Sequence, residues 1–156
     1  MMTRILFICH DNICRSPMAE FVMKDLAKKA RMGGWFYIES AATSAEEIGR
    51  PIHPQAVRKL SEHGIVSVRK TARQLTGSDY VKFDLLIGME QSDLRNMQRI
   101  CGGDPRHKMR LLMDYTGCPG DVTDPRHTGD FETAWRNILT GCRGLMHKCK
   151  EKFATL

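Results

Sequence analysis

The chain of 156 residues has no long hydrophobic run, and this absence sets the first limit on what it is. Its longest apolar stretch near the start, Ile5 to Cys9, falls far short of the ~20 residues that a bilayer-spanning helix needs. The layout of a signal peptide is missing too, since His10, Asp11 and Asn12 follow that strand-length run at once. No low-complexity tract, internal repeat or Pro/Gly/Ser linker divides the chain, so residues 1–156 are expected to form a single domain. Six histidines are scattered without HExxH spacing and no Cys-x-x-Cys pair occurs, so neither a metal nor a cofactor is expected. The basic residues are not interleaved with aromatics, which argues against nucleic acid as a partner, and nothing points to a membrane. Without an export signal, the six cysteines are expected to be reduced, in a cytoplasm. They are read as possible chemistry before being read as staples.

What the chain does have is an ordinary globular composition, with 42% hydrophobic and 27% charged residues. Lys and Arg number 24 against 18 Asp and Glu, and the resulting +6 permits an anionic partner without selecting one. Short apolar runs alternate with helical patterns. Ile5 to Ile8 reads as a strand buried on both faces, followed by a helix that opens near Ser16-Pro17 and ends at Gly33-Gly34. Trp35 to Glu39, Phe83 to Gly88 and Met109 to Met113 read as three further strands. Helices are expected from His53-Pro54 to Gly64 and from Glu90 to Ile100. A long C-terminal helix should bury the stripe Phe131, Trp135, Ile138, Cys142, Leu145 and Cys149. This alternation predicts an α/β three-layer sandwich, a four-stranded parallel sheet with helices on both faces. Ligands in such folds bind beyond the carboxyl ends of strands, and the first such loop is Cys9 to Ser16.

That loop reads Cys9-His10-Asp11-Asn12-Ile13-Cys14-Arg15-Ser16. Between a buried strand and a helix start, its backbone N–H groups can converge on one tetrahedral anion, aided by the helix N-terminus. Arg15 supplies a planar fork for two phosphate oxygens. The same positive field stabilises a thiolate at Cys9, and Ser16 can donate to its sulfur. Each residue alone reads more simply as a core cysteine, a surface arginine and a cap; the three together point to a nucleophile aimed at phosphorus.

The segment resembles the phosphate loop of the low-molecular-weight protein tyrosine phosphatases, Cys-x-x-Asn-Ile-Cys-Arg-Ser-Pro. The likeness continues through Met18-Ala19-Glu20, Ser40-Ala41-Ala42-Thr43, Gly49-Arg50-Pro51, Ala72-Arg73-Gln74 and Asp124-Pro125. The resemblance implies a cysteine-dependent hydrolase acting through phosphocysteine on a phosphotyrosine-containing protein or a small aryl phosphate, with inorganic phosphate as product. It implies Cys9 as nucleophile, Arg15 as oxyanion clamp and Asp124 as general acid, with Asp121 as the rival acid. It implies that Asn12 and Ser40 hold the loop's shape, and that Cys14 can form a disulfide guarding Cys9. The phosphate contacts then fall to residues His10, Asp11, Asn12, Ile13, Cys14 and Ser16, with Arg126 and His127 at the entrance; Glu46 and Glu47 lie in a loop that shapes substrate choice in the family, Glu47 being the closer match.

Two departures from the family pattern stand out. Asp11 replaces a usual Gly, placing a carboxylate beside a dianion; like charges 4 Å apart repel by ~4 kcal/mol at an effective dielectric of 20. Asp11→Gly is therefore expected to raise kcat/KM. Arg126 and His127 stand where the family carries aromatics, which suggests a cationic entrance that favours acidic surroundings of the phosphate. Two alternatives follow: a catalytically impaired phosphate-binding module, and less readily an arsenate reductase. The latter would need relay cysteines, and only Cys101 lies between Arg15 and Gly117. Protein arginine phosphatases usually carry Thr where Ile13 stands.

Overall fold

The computed structural model of the protein describes residues 2–155. Four strands form one parallel sheet: β1 (Thr3–Cys9), β2 (Phe36–Ala42), β3 (Leu85–Gly88) and β4 (Met109–Leu111), in the order β2-β1-β3-β4. The strand β1 is buried on both faces from Ile5 to Cys9. Ile5 and Phe7 pack with α1 (Arg15–Lys29), α2 (Pro54–Glu62) and α6 (Phe131–Ala154). Leu6 and Ile8 point the other way, into a second cluster with α3 (Gly77–Lys82) and α4 (Gln91–Cys101). The unbroken apolar run of β1 is thus the mark of a strand with a helical layer on each side.

The long helix α6 buries the predicted stripe and adds Ala134, Gly141 and Met146 to it. Its glycines permit close approach to the turn Leu112–Tyr115. A Cβ at Gly144 would lie 1.9 Å from the Tyr115 carbonyl oxygen, and one at Gly141 would lie 2.5 Å from Leu112. Among the described residues no helix is long and apolar enough to cross a membrane.

Several boundaries differ from the sequence reading for local reasons. Trp35 belongs to the short turn Gly33–Trp35, and β2 runs on through Ser40-Ala41-Ala42 because those residues pair with Phe7, Ile8 and Cys9. Phe83 closes α3 instead of opening β3. The strand β4 stops at Leu111, where the chain turns to meet α6. Helix α1 stops before Gly33-Gly34, since Arg31 takes a left-handed conformation (φ +57°). Ser16 does not cap α1; its side chain is used elsewhere. Helix α3 escaped the sequence reading. It is short and starts where the Asp79 carboxylate accepts the Thr76 backbone N–H.

Candidate active site

At the carboxyl end of β1 the chain curls around the Cys9 sulfur. The backbone N–H groups of Asn12 and Ser16 lie 3.3 and 3.4 Å from Sγ, and the Ser16 hydroxyl lies at 3.0 Å. Asn12 sits at φ +59°, a left-handed conformation that Asn tolerates well. Its side chain is oriented unambiguously. The backbone N–H of Arg73 donates to Oδ1 (3.2 Å), so the amide nitrogen faces Ser16 Oγ (2.8 Å) and donates to it. Ser16 accepts that bond and keeps its one hydroxyl proton for the sulfur. A relay of hydrogen bonds, Arg73 to Asn12 to Ser16 to Cys9, thus ends on the sulfur, which has three donors around it.

Arg15 is 3% exposed and aimed by two acceptors: Nη1 donates to Glu90 Oε1 (2.5 Å) and to the Val122 carbonyl (2.7 Å). Burial alone would make Arg15 easier to deprotonate, but Cys9, Glu90 and Asp124 reverse the effect and hold it cationic. Its Nη2 lies 3.6 Å from Asp124 Oδ2. Asp124 caps α5 (Pro125–Thr128), accepting the Arg126 backbone N–H at Oδ1 (3.0 Å). Burial would raise the Asp124 carboxyl, yet that bond and the charges of Arg15, Arg126 and His127 hold it below the ordinary range. Asp121, the rival acid, accepts the Gln91 backbone N–H at the start of α4 (3.1 Å).

Asp11 is not the bare carboxylate that the sequence suggested. It is buried, it is absent from the described non-glycine residues with positive φ, and its Oδ2 accepts a hydrogen bond from Arg126 Nη2. Ser44 Oγ donates to Oδ1 (3.2 Å). The cationic wall is corrected by the same contact. The Arg126 guanidinium is held by Asp11 and stands 3.6 Å from Asp124 Oδ2, while His127 is exposed on α5. At the rim, His10 Nε2 lies 3.6 Å from Asp11 Oδ1 and 3.5 Å from Glu46 Oε2. Glu46, not Glu47, therefore reaches the site mouth; Glu47 pairs with Arg50 (3.3 Å). His10, Asp11 and Glu46 are also the one group found among the described residues with cation-like ligand spacing, but Arg126 already occupies Asp11.

The remaining residues of the loop divide between structure and chemistry. Ile13 is buried, and its carbonyl accepts the His53 N–H. Burial, with the nearby Cys9 and Asp124 charges, pushes the Cys14 thiol up to about 12, so it stays protonated at neutral pH. Ser40 donates to Glu20 Oε1 on α1 (2.6 Å); the direct bond to Asn12 Oδ1 comes from Arg73. Sequence reasoning missed Glu90, the Val122 carbonyl and the strut of Arg73 on Asp79 (3.0 and 3.1 Å). Glu90 could have been found, since it lies just beyond the carboxyl end of a strand.

Comparison with known proteins agrees with this geometry. The profile of the family described as low molecular weight phosphotyrosine protein phosphatase matches residues 4–155. The low molecular weight protein-tyrosine-phosphatase YfkJ of Bacillus subtilis is 35% identical over 147 residues, 93% of this chain and 94% of its own. The Sus scrofa low molecular weight phosphotyrosine protein phosphatase is 34% identical over 151 residues, 94% and 95% of the two chains. The crystal structure of YfkJ superposes with a TM-score of 0.94 over 97% of each chain, at 34% identity. That of SP-PTP from Streptococcus pyogenes gives 0.85 at 34% identity, over 94% of this chain and 93% of that one.

Proposed function

The chain belongs to the low molecular weight phosphotyrosine protein phosphatase family, and from that premise we propose that it hydrolyses phosphotyrosine in proteins and small aryl phosphate monoesters. One observation carries the reading: a buried sulfur with three donors on it, beside an arginine whose other edge lies near a capped carboxyl group.

The Cys9 thiolate attacks phosphorus, and an S–P bond forms as the P–O bond to the phenol breaks. Arg15 and the loop N–H groups hold the equatorial oxygens as charge spreads over them. Asp124 gives its proton to the leaving phenolate. Water then attacks the phosphocysteine, Asp124 takes the proton, and the S–P bond breaks to release inorganic phosphate and restore the thiolate. Glu90 and Val122 keep Arg15 aimed through both steps. His10 and Glu46 form the rim that a substrate ring passes. The pairing of Asp11 removes the main reason for a catalytically impaired module, since no free carboxylate faces the phosphate. The setting that suits a reduced Cys9 is the cytoplasm.

The test is turnover of p-nitrophenyl phosphate. Cys9→Ser is expected to abolish it, and Asp124→Ala to lower kcat by ~10²–10⁴. Because Asp124 must carry a proton for the first step and its affinity for one is low, wild-type kcat/KM should decline from acid toward neutral pH. Asp124→Ala should flatten that decline. Wild-type turnover equal to that of Cys9→Ser would overturn the reading.

A further inference from the structure

Asp11 and Arg126 are 115 positions apart and come from the two loops that must cooperate in catalysis. Asp11 sits on the loop that holds the phosphate, and Arg126 two residues beyond the general acid. Arg126 meets Asp124 twice, through its backbone N–H on Oδ1 (3.0 Å) and its guanidinium 3.6 Å from Oδ2. The second distance is too long for a charge-assisted hydrogen bond, which lies near ~2.8 Å. The guanidinium stops short of Asp124 because the buried Asp11 carboxylate holds Nη2. We propose that Asp11 and Arg126 act as one positioning pair across the phosphate loop and the acid loop, in which Arg126 masks the Asp11 charge and Asp11 keeps the Arg126 guanidinium off the Asp124 carboxyl.

The inference rests on the phosphatase reading and goes beyond it: each member masks a charge that would harm a different step. Without Arg126, Asp11 stands buried and uncompensated beside the bound oxyanion, so binding suffers. Without Asp11, the guanidinium swings onto Asp124 and closes it into an ion pair, so proton transfer suffers. Without both, neither fault exists. The direction expected from sequence is thereby reversed, and removing Asp11 alone lowers activity. His10, Glu46 and Ser44 also face Asp11, and Arg15 and His127 also act on Asp124. Arg15 likewise links the two loops, through the Val122 carbonyl and Asp124, but the acid-loop partner of Asp11 is Arg126.

The experiment is a double-mutant cycle with two readouts, kinetics on p-nitrophenyl phosphate across pH and calorimetric binding of inorganic phosphate. Arg126→Gln is expected to weaken phosphate binding and raise KM by about tenfold, with kcat less affected. Asp11→Asn should lower kcat by about tenfold, move the decline of kcat/KM to lower pH, and leave phosphate binding intact or tighter. The double variant should return kcat/KM to within about threefold of wild type. If Arg126→Gln does not unfold cooperatively, Arg126→Lys replaces it, and retained phosphate binding there supports the charge-masking role. Losses that simply multiply, or Asp11→Asn that weakens phosphate binding, would overturn the pair. A wild type without Cys9-dependent turnover would sink the phosphatase reading instead, and the phosphate-binding cycle would still decide whether the pair masks Asp11.

Discussion

At the scale of single residues, the site depends on side chains whose own partners are fixed. Arg15 is a useful clamp because Glu90 and the Val122 carbonyl occupy one nitrogen and leave the other edge directed into the site. Glu90→Gln keeps the shape and removes the charge. It is expected to lower kcat/KM by about tenfold to a hundredfold, since a small misplacement of a clamp costs that much. Steady-state kinetics with phosphate as competitive inhibitor checks this, with KM and the inhibition constant rising together. An unchanged inhibition constant would mean that Val122 alone orients Arg15. Cys9 and Arg15 were candidates in the sequence through their types and spacing, and Asp124 through the family resemblance. Glu90 and Arg73 were not given roles, because their roles are set by what they touch and not by what they are.

At the scale of elements, the layer holding α1, α2 and α6 is the deeper one, and α6 closes it against the turn Leu112–Tyr115. Gly to Ala in a helix interior ordinarily gains ~1 kcal/mol. At Gly144 the sign reverses, because the new Cβ would meet the Tyr115 carbonyl oxygen at 1.9 Å and the backbone must shift. Gly144→Ala is expected to cost ~1–3 kcal/mol, seen as a lower urea midpoint at unchanged slope. Element type was legible wherever the apolar pattern was long. The short helices were not: α3 is organised by one carboxylate at Thr76, and α5 by one at Asp124. Neither has enough turns to show a period.

For the whole molecule, the balance of buried carboxylates sets the response to acid. Burial would raise Asp79, but bonds from Arg73 and from the Thr76 backbone outweigh it and hold it low; Glu39 and Asp104 are likewise held low by their partners. Each binds protons less readily folded than unfolded. Their stabilisation is complete above the unfolded carboxyl range, ~3.9–4.3, and is lost as pH falls through it toward the folded values. Asp93 opposes this, since burial raises it despite Arg15 and the backbone bonds. Stability is expected to hold from neutral pH to about 5 and to fall below about 4. Asp79→Asn should make that fall shallower, as denaturant titrations at a series of pH values would show. The same substitution loosens Arg73, whose backbone orients Asn12, so helix α3 and the loop at Cys9 share one support.

The sequence by itself determined the layered parallel fold, because alternating periods of apolar residues admit few other arrangements. It also pointed to the nucleophile and clamp, because strand, loop and helix start confine those types to one place, while the acid was named only through the family resemblance. The tertiary structure alone decided whether the Asp11 carboxylate is bare or paired. That depended on a guanidinium 115 residues away, and no local pattern carries the partner of a charge.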